Sequence, residues 1–305
     1  MSDAPCRVAV IGAGVIGISW TALFLANGLR VRVSDPRPDL AAAVTSGIAS
    51  AAPALRSLGY PEPDTALLEF EADTERAVRD ADVVQENGPE RLEFKQAVFT
   101  ALGTAGKPDA LLCSSSSGLA VTDMVANLPD SIASRALVAH PFNPPHLIPL
   151  VELVPGQRTA ASTVERAERF FQNLGKKPVV VRKETPQYIV NRLQQALFQA
   201  AVALVAEEVG TVADIDEAVT NSIGIRWSTA GPFASFDLAG GSGGLAHFLE
   251  GAGAAMGVNA QTTELLTAQA EKFFHTTSYE QRVEVRDRRQ VAVLRALAAE
   301  EVAEK

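Results

Sequence analysis

Arg7-Val-Ala-Val-Ile-Gly-Ala-Gly-Val-Ile-Gly17 is the stretch that decides the fold. Its first residues are apolar and β-branched, as in a buried strand, and Gly12, Gly14 and Gly17 then form a G-x-G-x-x-G turn. From Ile18 the chain continues with Trp20, Leu23 and Phe24 on one side of a helix. Strand, glycine turn and helix in that order read as a dinucleotide-binding unit. Gly12 permits the tight turn, Gly14 lets backbone approach a pyrophosphate, and Gly17 lets the helix lie close to the strand. The amides of the first helical turn, Val15 and Ile16 among them, and the positive helix end complete an anion site.

A second strand, 30–34, leads into Asp35, about 20 residues past the turn, where a carboxylate accepts hydrogen bonds from a ribose and repels a 2′-phosphate. NAD is therefore the expected cofactor, with Arg37 as the residue that would instead serve NADP.

Further short apolar runs at 83–86, 111–114, 136–139, 151–153 and 178–182 alternate with helical stretches. That alternation predicts an α/β domain over 1–184, a Rossmann-type doubly wound, mostly parallel sheet. From Thr185 the strand signal stops. Thr185 as N-cap and Pro186 at the first helical position predict a helix through Ile189, Leu193, Ala196 and Leu204, ended by Gly210 in a left-handed cap. Thr211 starts the next helix, and helical segments follow near 232–239, 243–256, 261–275 and 279–304. The second domain, 185–305, is thus expected to be all helical, with 240–244 as a glycine turn.

The 305 residues are 47% hydrophobic and 21% charged, with a net charge of −9. An acidic chain offers no basic stripe to nucleic acid or anionic lipid, so a small-molecule partner is expected. Two cysteines, Cys6 and Cys113, make neither a disulfide framework nor a thiolate cluster, and no group of residues has metal-ligand spacing. With no signal-peptide pattern and no spanning apolar run, the expected location is cytoplasmic.

Two loops follow strands and carry chemistry: Ser114-Ser-Ser-Ser117 and His140-Pro-Phe-Asn-Pro-Pro145. In Pro149-Leu-Val-Glu-Leu-Val154, Glu152 is a carboxylate inside an apolar strand, which has to be paired or protonated. A histidine partner resolves the anomaly. A buried carboxylate bonded to one imidazole nitrogen fixes the tautomer and leaves the other as a general base, the role predicted for His140. His146 reads as a loop-surface residue.

The ordered set Ser117, His140, Glu152 and Asn191, the last in Tyr188-Ile-Val-Asn-Arg192, resembles the 3-hydroxyacyl-coenzyme A dehydrogenase family over nearly the whole chain. That resemblance implies oxidation of a 3-hydroxy group by NAD. It implies His140 as base, Glu152 as its support, and Ser117 with Asn191 on the substrate oxygen, in a site between the domains. Asn143 of the histidine turn is taken as a substrate contact. Glu90 and Lys95 match the family's segment beside the nicotinamide ribose, and family dimers imply a homodimer through the helical domain.

Within the family, Cys113–Ser117, His140–Pro155, Ile223-Gly-Ile-Arg-Trp227 and Gly231-Pro-Phe233 look most like the L-gulonate 3-dehydrogenase and lambda-crystallin branch. Residues 41–75 hold one cation, Arg56, against six carboxylates, which disfavours a phosphate-rich coenzyme A ester. A small hydroxy acid needs one cation for its carboxylate, and Arg226 is the candidate. L-Carnitine is the alternative disfavoured by the 6% aromatic content, since a quaternary ammonium seeks aromatic faces. The non-catalytic alternatives are a crystallin-like structural protein and an NAD-sensing protein. The intact set of four argues against storage.

Overall fold

The computed structural model describes residues 6–303, which divide into two compact units at Ala196 and Leu197. The first unit carries one sheet of eight strands. They are β1 (Arg7–Ile11), β2 (Arg30–Ser34), β3 (Leu68–Phe70), β4 (Val83–Glu86), β5 (Leu111–Ser114), β6 (Ala136–Pro141), β7 (Leu150–Pro155) and β8 (Lys177–Val180). The order is β3-β2-β1-β4-β5-β6-β7-β8, parallel throughout except for the antiparallel pair β6 and β7. Seven helices accompany it: α1 (Val15–Ala26), α2 (Leu40–Ser57), α3 (Thr74–Val78), α4 (Leu92–Ala105), α5 (Val121–Met124), α6 (Asp130–Ala133) and α7 (Ala161–Asn173).

Why the sheet is covered on both faces is legible in β1. Successive side chains point to opposite faces, and Val8 and Val10 enter one core while Ala9 and Ile11 enter the other. The first core packs Trp20, Leu23 and Phe24 of α1 with Leu55 of α2 and Phe171 of α7; the second takes Ala77 and Val78 of α3 and Phe99 and Leu102 of α4. A strand buried twice has to be apolar at every position. Strand order reverses between β1 and β4, which opens a crevice at the carboxyl ends of the strands.

The second unit is helical. It holds the body of α8 (Val190–Ala206), then α9 (Val212–Thr220), α10 (Ile223–Thr229), α11 (Pro232–Ala239), α12 (Gly244–Ala252), α13 (Ala260–Phe274) and α14 (Tyr279–Ala303). Thr211 caps α9 in a reciprocal capping box with Asp214, as its sequence predicts. Residues 240–244 form a tight turn, where a Cβ at Gly240 would lie 1.9 Å from the Gly244 carbonyl.

Several boundaries differ from expectation. β3 is an edge strand of three residues with no apolar run, so periodicity misses it. The helix expected from Pro186 starts at Val190, because Gln187 and Tyr188 take φ of 65° and 51°, outside the helical region. Gly210 is not its left-handed cap; Glu208 takes that conformation, at φ 59°. α10 was not anticipated, since its seven residues include Gly224. Among the described residues no helix is long and apolar enough to cross a membrane.

Candidate active site

The glycine turn sits at the crevice and is shaped for a dinucleotide. Gly12 has φ +94°, and a Cβ there would lie 3.0 Å from the Asn87 backbone. A Cβ at Gly17 would lie 1.9 Å from the Gly12 carbonyl oxygen, so packing alone demands glycine at both. Gly14 differs. Its Cβ would meet no protein atom within 4 Å, so the missing side chain leaves space that the chain itself does not fill. Gly14 is also the N-cap of α1 and offers no side chain to the helix amides, and Val15 is 70% exposed. Open space before uncapped amides fits a pyrophosphate.

Asp35, one residue past β2, is held rather than free. Its Oδ2 accepts from the Ala13 amide at 2.8 Å and its Oδ1 from the Arg37 amide at 2.9 Å. Each oxygen keeps a lone pair for a ribose hydroxyl. The Arg37 guanidinium is turned onto Asp39, at 2.8 and 3.0 Å, which ties up the cation an NADP site would use.

The serine loop after β5 is built around carboxylates. Glu90 Oε1 accepts from Ser116 Oγ at 2.6 Å and from the amides of Ser117, Gly118 and Leu119 at 3.1, 3.0 and 3.3 Å. Ser117 is thereby presented exposed, and the Asn191 amide reaches its carbonyl at 3.4 Å. Lys95, expected beside the cofactor, is 1% exposed. Its ammonium donates to both Glu86 oxygens at 2.9 and 2.8 Å and to the Gly88 carbonyl at 3.1 Å, which uses all three protons. Lys95 therefore neutralises a buried carboxylate, Glu86, which Ser114 Oγ also contacts at 2.6 Å. The rule that flags Glu152, a carboxylate in an apolar strand, applies equally to Glu86.

His140 and Glu152 are register partners on the antiparallel pair β6 and β7, which brings their side chains together on one face. His140 Nδ1 lies 2.9 Å from Glu152 Oε2, and the two residues are 5% and 0% exposed. Glu152 Oε1 accepts from the amides of Ile189 and Val190, each at 3.0 Å, at the start of α8. An acceptor-only carboxylate requires Nδ1 to carry the proton, leaving the lone pair on Nε2. The edges of Phe142 and Tyr188 flank the ring, at centroid distances of 4.8 and 5.4 Å. Tyr188 is buried and its hydroxyl donates to the Leu119 carbonyl at 3.0 Å, tying the histidine to the serine loop.

Ser117, His140, Glu152 and Asn191 thus occur in one compact unit, and Asn191 belongs to it rather than to the second. Asn143 is exposed in the loop after His140, and Arg226 is exposed on α10 of the helical unit. His146, expected at the loop surface, is half-buried: its Nδ1 meets Ser19 Oγ at 2.8 Å, and burial followed by the charge of Lys176 holds it below the ordinary histidine range. Sequence reading missed the aromatic flanks of His140 and the partners of Glu90. Both depend on loop backbone, which has no periodicity to read.

Residues 7–185 match the model of the 3-hydroxyacyl-CoA dehydrogenase NAD-binding domain, and residues 188–301 match that of the 3-hydroxyacyl-CoA dehydrogenase C-terminal domain. An L-carnitine dehydrogenase of Streptomyces coelicolor is 42% identical over 301 residues, covering 95% of this chain and 94% of that protein. A 3-hydroxyacyl-CoA dehydrogenase of Gibberella moniliformis is 39% identical over 236 residues, 77% of this chain and 73% of that protein. Among solved structures, an NAD-dependent dismutase that is a 5-formyl-3-hydroxy-2-methylpyridine 4-carboxylic acid 5-dehydrogenase superposes with a TM-score of 0.76. It has 29% identity and covers 97% of this chain and 99% of that one. The chain belongs to the 3-hydroxyacyl-CoA dehydrogenase family, a family of NAD-dependent dehydrogenases.

Proposed function

We propose that this enzyme oxidises the 3-hydroxy group of a small hydroxy acid, with L-carnitine the first substrate to test. The observation that carries the chemistry is the imidazole of His140, anchored through Nδ1 to a buried carboxylate with Nε2 left as acceptor. His140 takes the hydroxyl proton, and Glu152 stabilises the imidazolium that results. Ser117 and Asn191 donate to the substrate oxygen, and Asn143 adds a substrate contact. NAD, when bound, supplies the hydride acceptor. Asp35 and the turn at Gly12, Gly14 and Gly17 orient it, with Val15 and Ile16 amides on the pyrophosphate and Glu90 holding the serine loop.

The choice of L-carnitine over L-gulonate rests on the relatives, several of which are L-carnitine dehydrogenases at 41–44% identity. The composition argument against carnitine fails for a physical reason. A low overall aromatic content says nothing about where the rings are, and Phe142 and Tyr188 stand beside the base. The acidic chain, at −9, also suits a substrate with a cationic end better than a coenzyme A ester. Residues 185–305 are proposed as the substrate and dimerisation domain, with Arg226 as the cation for the substrate carboxylate. Exposed Phe233, Leu265 and Phe273 support pairing into a homodimer.

The test is NADH formation with L-carnitine, L-gulonate, 3-hydroxybutyrate and 3-hydroxybutyryl-coenzyme A at matched concentrations. L-Carnitine is expected to give the highest kcat/KM. A coenzyme A ester preferred by tenfold or more would overturn the substrate assignment, and no NADH from any of the four would remove the small hydroxy acid class.

A further inference from the structure

Lys176, like Arg135, is a cation of the first unit that the core encloses and the site's chemistry leaves unexplained, and of the two it is Lys176 that meets the loop after His140. It precedes β8, is 4% exposed, and has no carboxylate within ion-pair distance among the described residues. Its ammonium donates to the carbonyls of Pro145 and Ile148 and lies 5.4 Å from the centre of the Trp20 ring. Burying an ammonium without a counter-ion is costly, and packing alone would be served by an apolar side chain. The compensation comes from what it holds.

Pro145 and Ile148 belong to the loop 142–149 that joins β6 to β7, between His140 and Glu152. Three prolines within it, at 144, 145 and 149, with Pro141 just before it, leave this stretch few amides for a backbone ladder. A further tether is Ser19 of α1, whose Oγ accepts from the His146 amide at 2.9 Å and lies 2.8 Å from His146 Nδ1. Trp20, next on α1, donates from Nε1 to Ser115 Oγ of the serine loop at 3.3 Å. One turn of the cofactor helix therefore contacts both loops that carry the reacting groups, with the Lys176 ammonium beneath it.

We propose that Lys176 is a positioning residue: its ammonium clamps the histidine loop through two carbonyls and presses it onto Trp20 of α1, fixing His140 and Asn143 relative to the cofactor helix. The proposal rests on the catalytic role given to His140 above. Burial pulls the ammonium down to about 8, and His146, the titratable group that faces it, is held below the ordinary histidine range by burial and then by the charge of Lys176. The clamp accordingly weakens as pH rises past 8, as the neutral amine donates less strongly to the two carbonyls.

Two readouts test it. In Lys176→Met, hydrogen exchange of the amides of Phe142, Asn143, His146, Leu147 and Ile148 is expected to speed up while β1 and α1 stay protected. In the same variant kcat falls about 10- to 100-fold, the scale of a misplaced reacting group, with NAD affinity within threefold. Lys176→Arg keeps a charge and two donors and is expected to recover kcat to within about fivefold and to hold it to a higher pH than wild type. Should Lys176→Met not fold, wild type itself decides: protection of the same loop, corrected for intrinsic exchange, has to fall between pH 7 and 9.5. Unchanged loop protection and a kcat within twofold in Lys176→Met, or a pH-independent loop in wild type, would overturn the clamp. Absence of turnover in wild type would instead count against the proposed function, because the exchange readout needs no substrate.

Discussion

Glu152→Gln is a change of one atom type whose consequence the geometry dictates. The carboxylate serves three donors: His140 Nδ1 at 2.9 Å on Oε2, and the Ile189 and Val190 amides at 3.0 Å each on Oε1. Glutamine has one acceptor oxygen. If it faces the two amides, the NH2 points at Nδ1, which has to become the acceptor, and the proton moves to Nε2, where the substrate hydroxyl needs a lone pair. The reverse orientation sets the NH2 against two buried amides and leaves both unpaired, at about 1–3 kcal/mol each. The first orientation wins, and the base is in the wrong tautomer.

The lost imidazolium stabilisation adds to this. Opposite charges about 4 Å apart at an effective dielectric constant of 20 attract by about 4 kcal/mol, which corresponds to about three decades of rate. We expect kcat/KM to fall about 10³-fold, within the 10²–10⁴ range typical of a positioned base. NAD affinity, read by fluorescence titration, is expected to stay within threefold because Asp35 and the glycine turn are untouched. Folding stability falls by about 1–2 kcal/mol, as charge-assisted bonds become neutral ones. A variant with kcat/KM within fivefold of wild type would refute the tautomer argument.

Three further outcomes follow from the same geometry. Asp35→Asn removes a charged acceptor and is expected to weaken NAD about 10- to 100-fold while NADP gains relative to it, read as the ratio of the two kcat/KM values. Arg226→Ala is expected to raise KM for a free hydroxy acid far more than it lowers kcat; unchanged KM would remove Arg226 from substrate binding. Burial pushes the Cys113 thiol well above its usual value of 9.0, so above pH 9 the unfolded chain gives up this proton and the folded chain keeps it. Stability is then full below pH 9 and lost as pH rises. In urea unfolding between pH 9.5 and 11, Cys113→Ala is expected to flatten the decline by about 1.4 kcal/mol per pH unit.

The parts legible from sequence are those with a period or a local constraint. The doubly buried β1, the glycine turn and the carboxylate anomaly at Glu152 all announce themselves, because a strand buried on both faces tolerates no other pattern. The His140 to Glu152 contact was legible as a need for pairing, although the antiparallel register that satisfies it was not. Lys95 shows the limit of reasoning by exposure: a lysine at a helix start looks solvated until its partner, Glu86, proves to be inside the sheet. The left-handed pair Gln187 and Tyr188, which sends the amides of Ile189 and Val190 to Glu152, replaced an apparently good helix start at Thr185 and Pro186. Tertiary bonds outweighed local propensity there.

The central claim is that His140 is the general base of an NAD-dependent 3-hydroxy acid dehydrogenase, and single-turnover NADH formation by His140→Ala tests it most directly. With saturating NAD and substrate, the rate is expected to fall by at least about two decades while NAD affinity stays within threefold. A His140→Ala enzyme that keeps more than about a tenth of the wild-type rate would contradict the account.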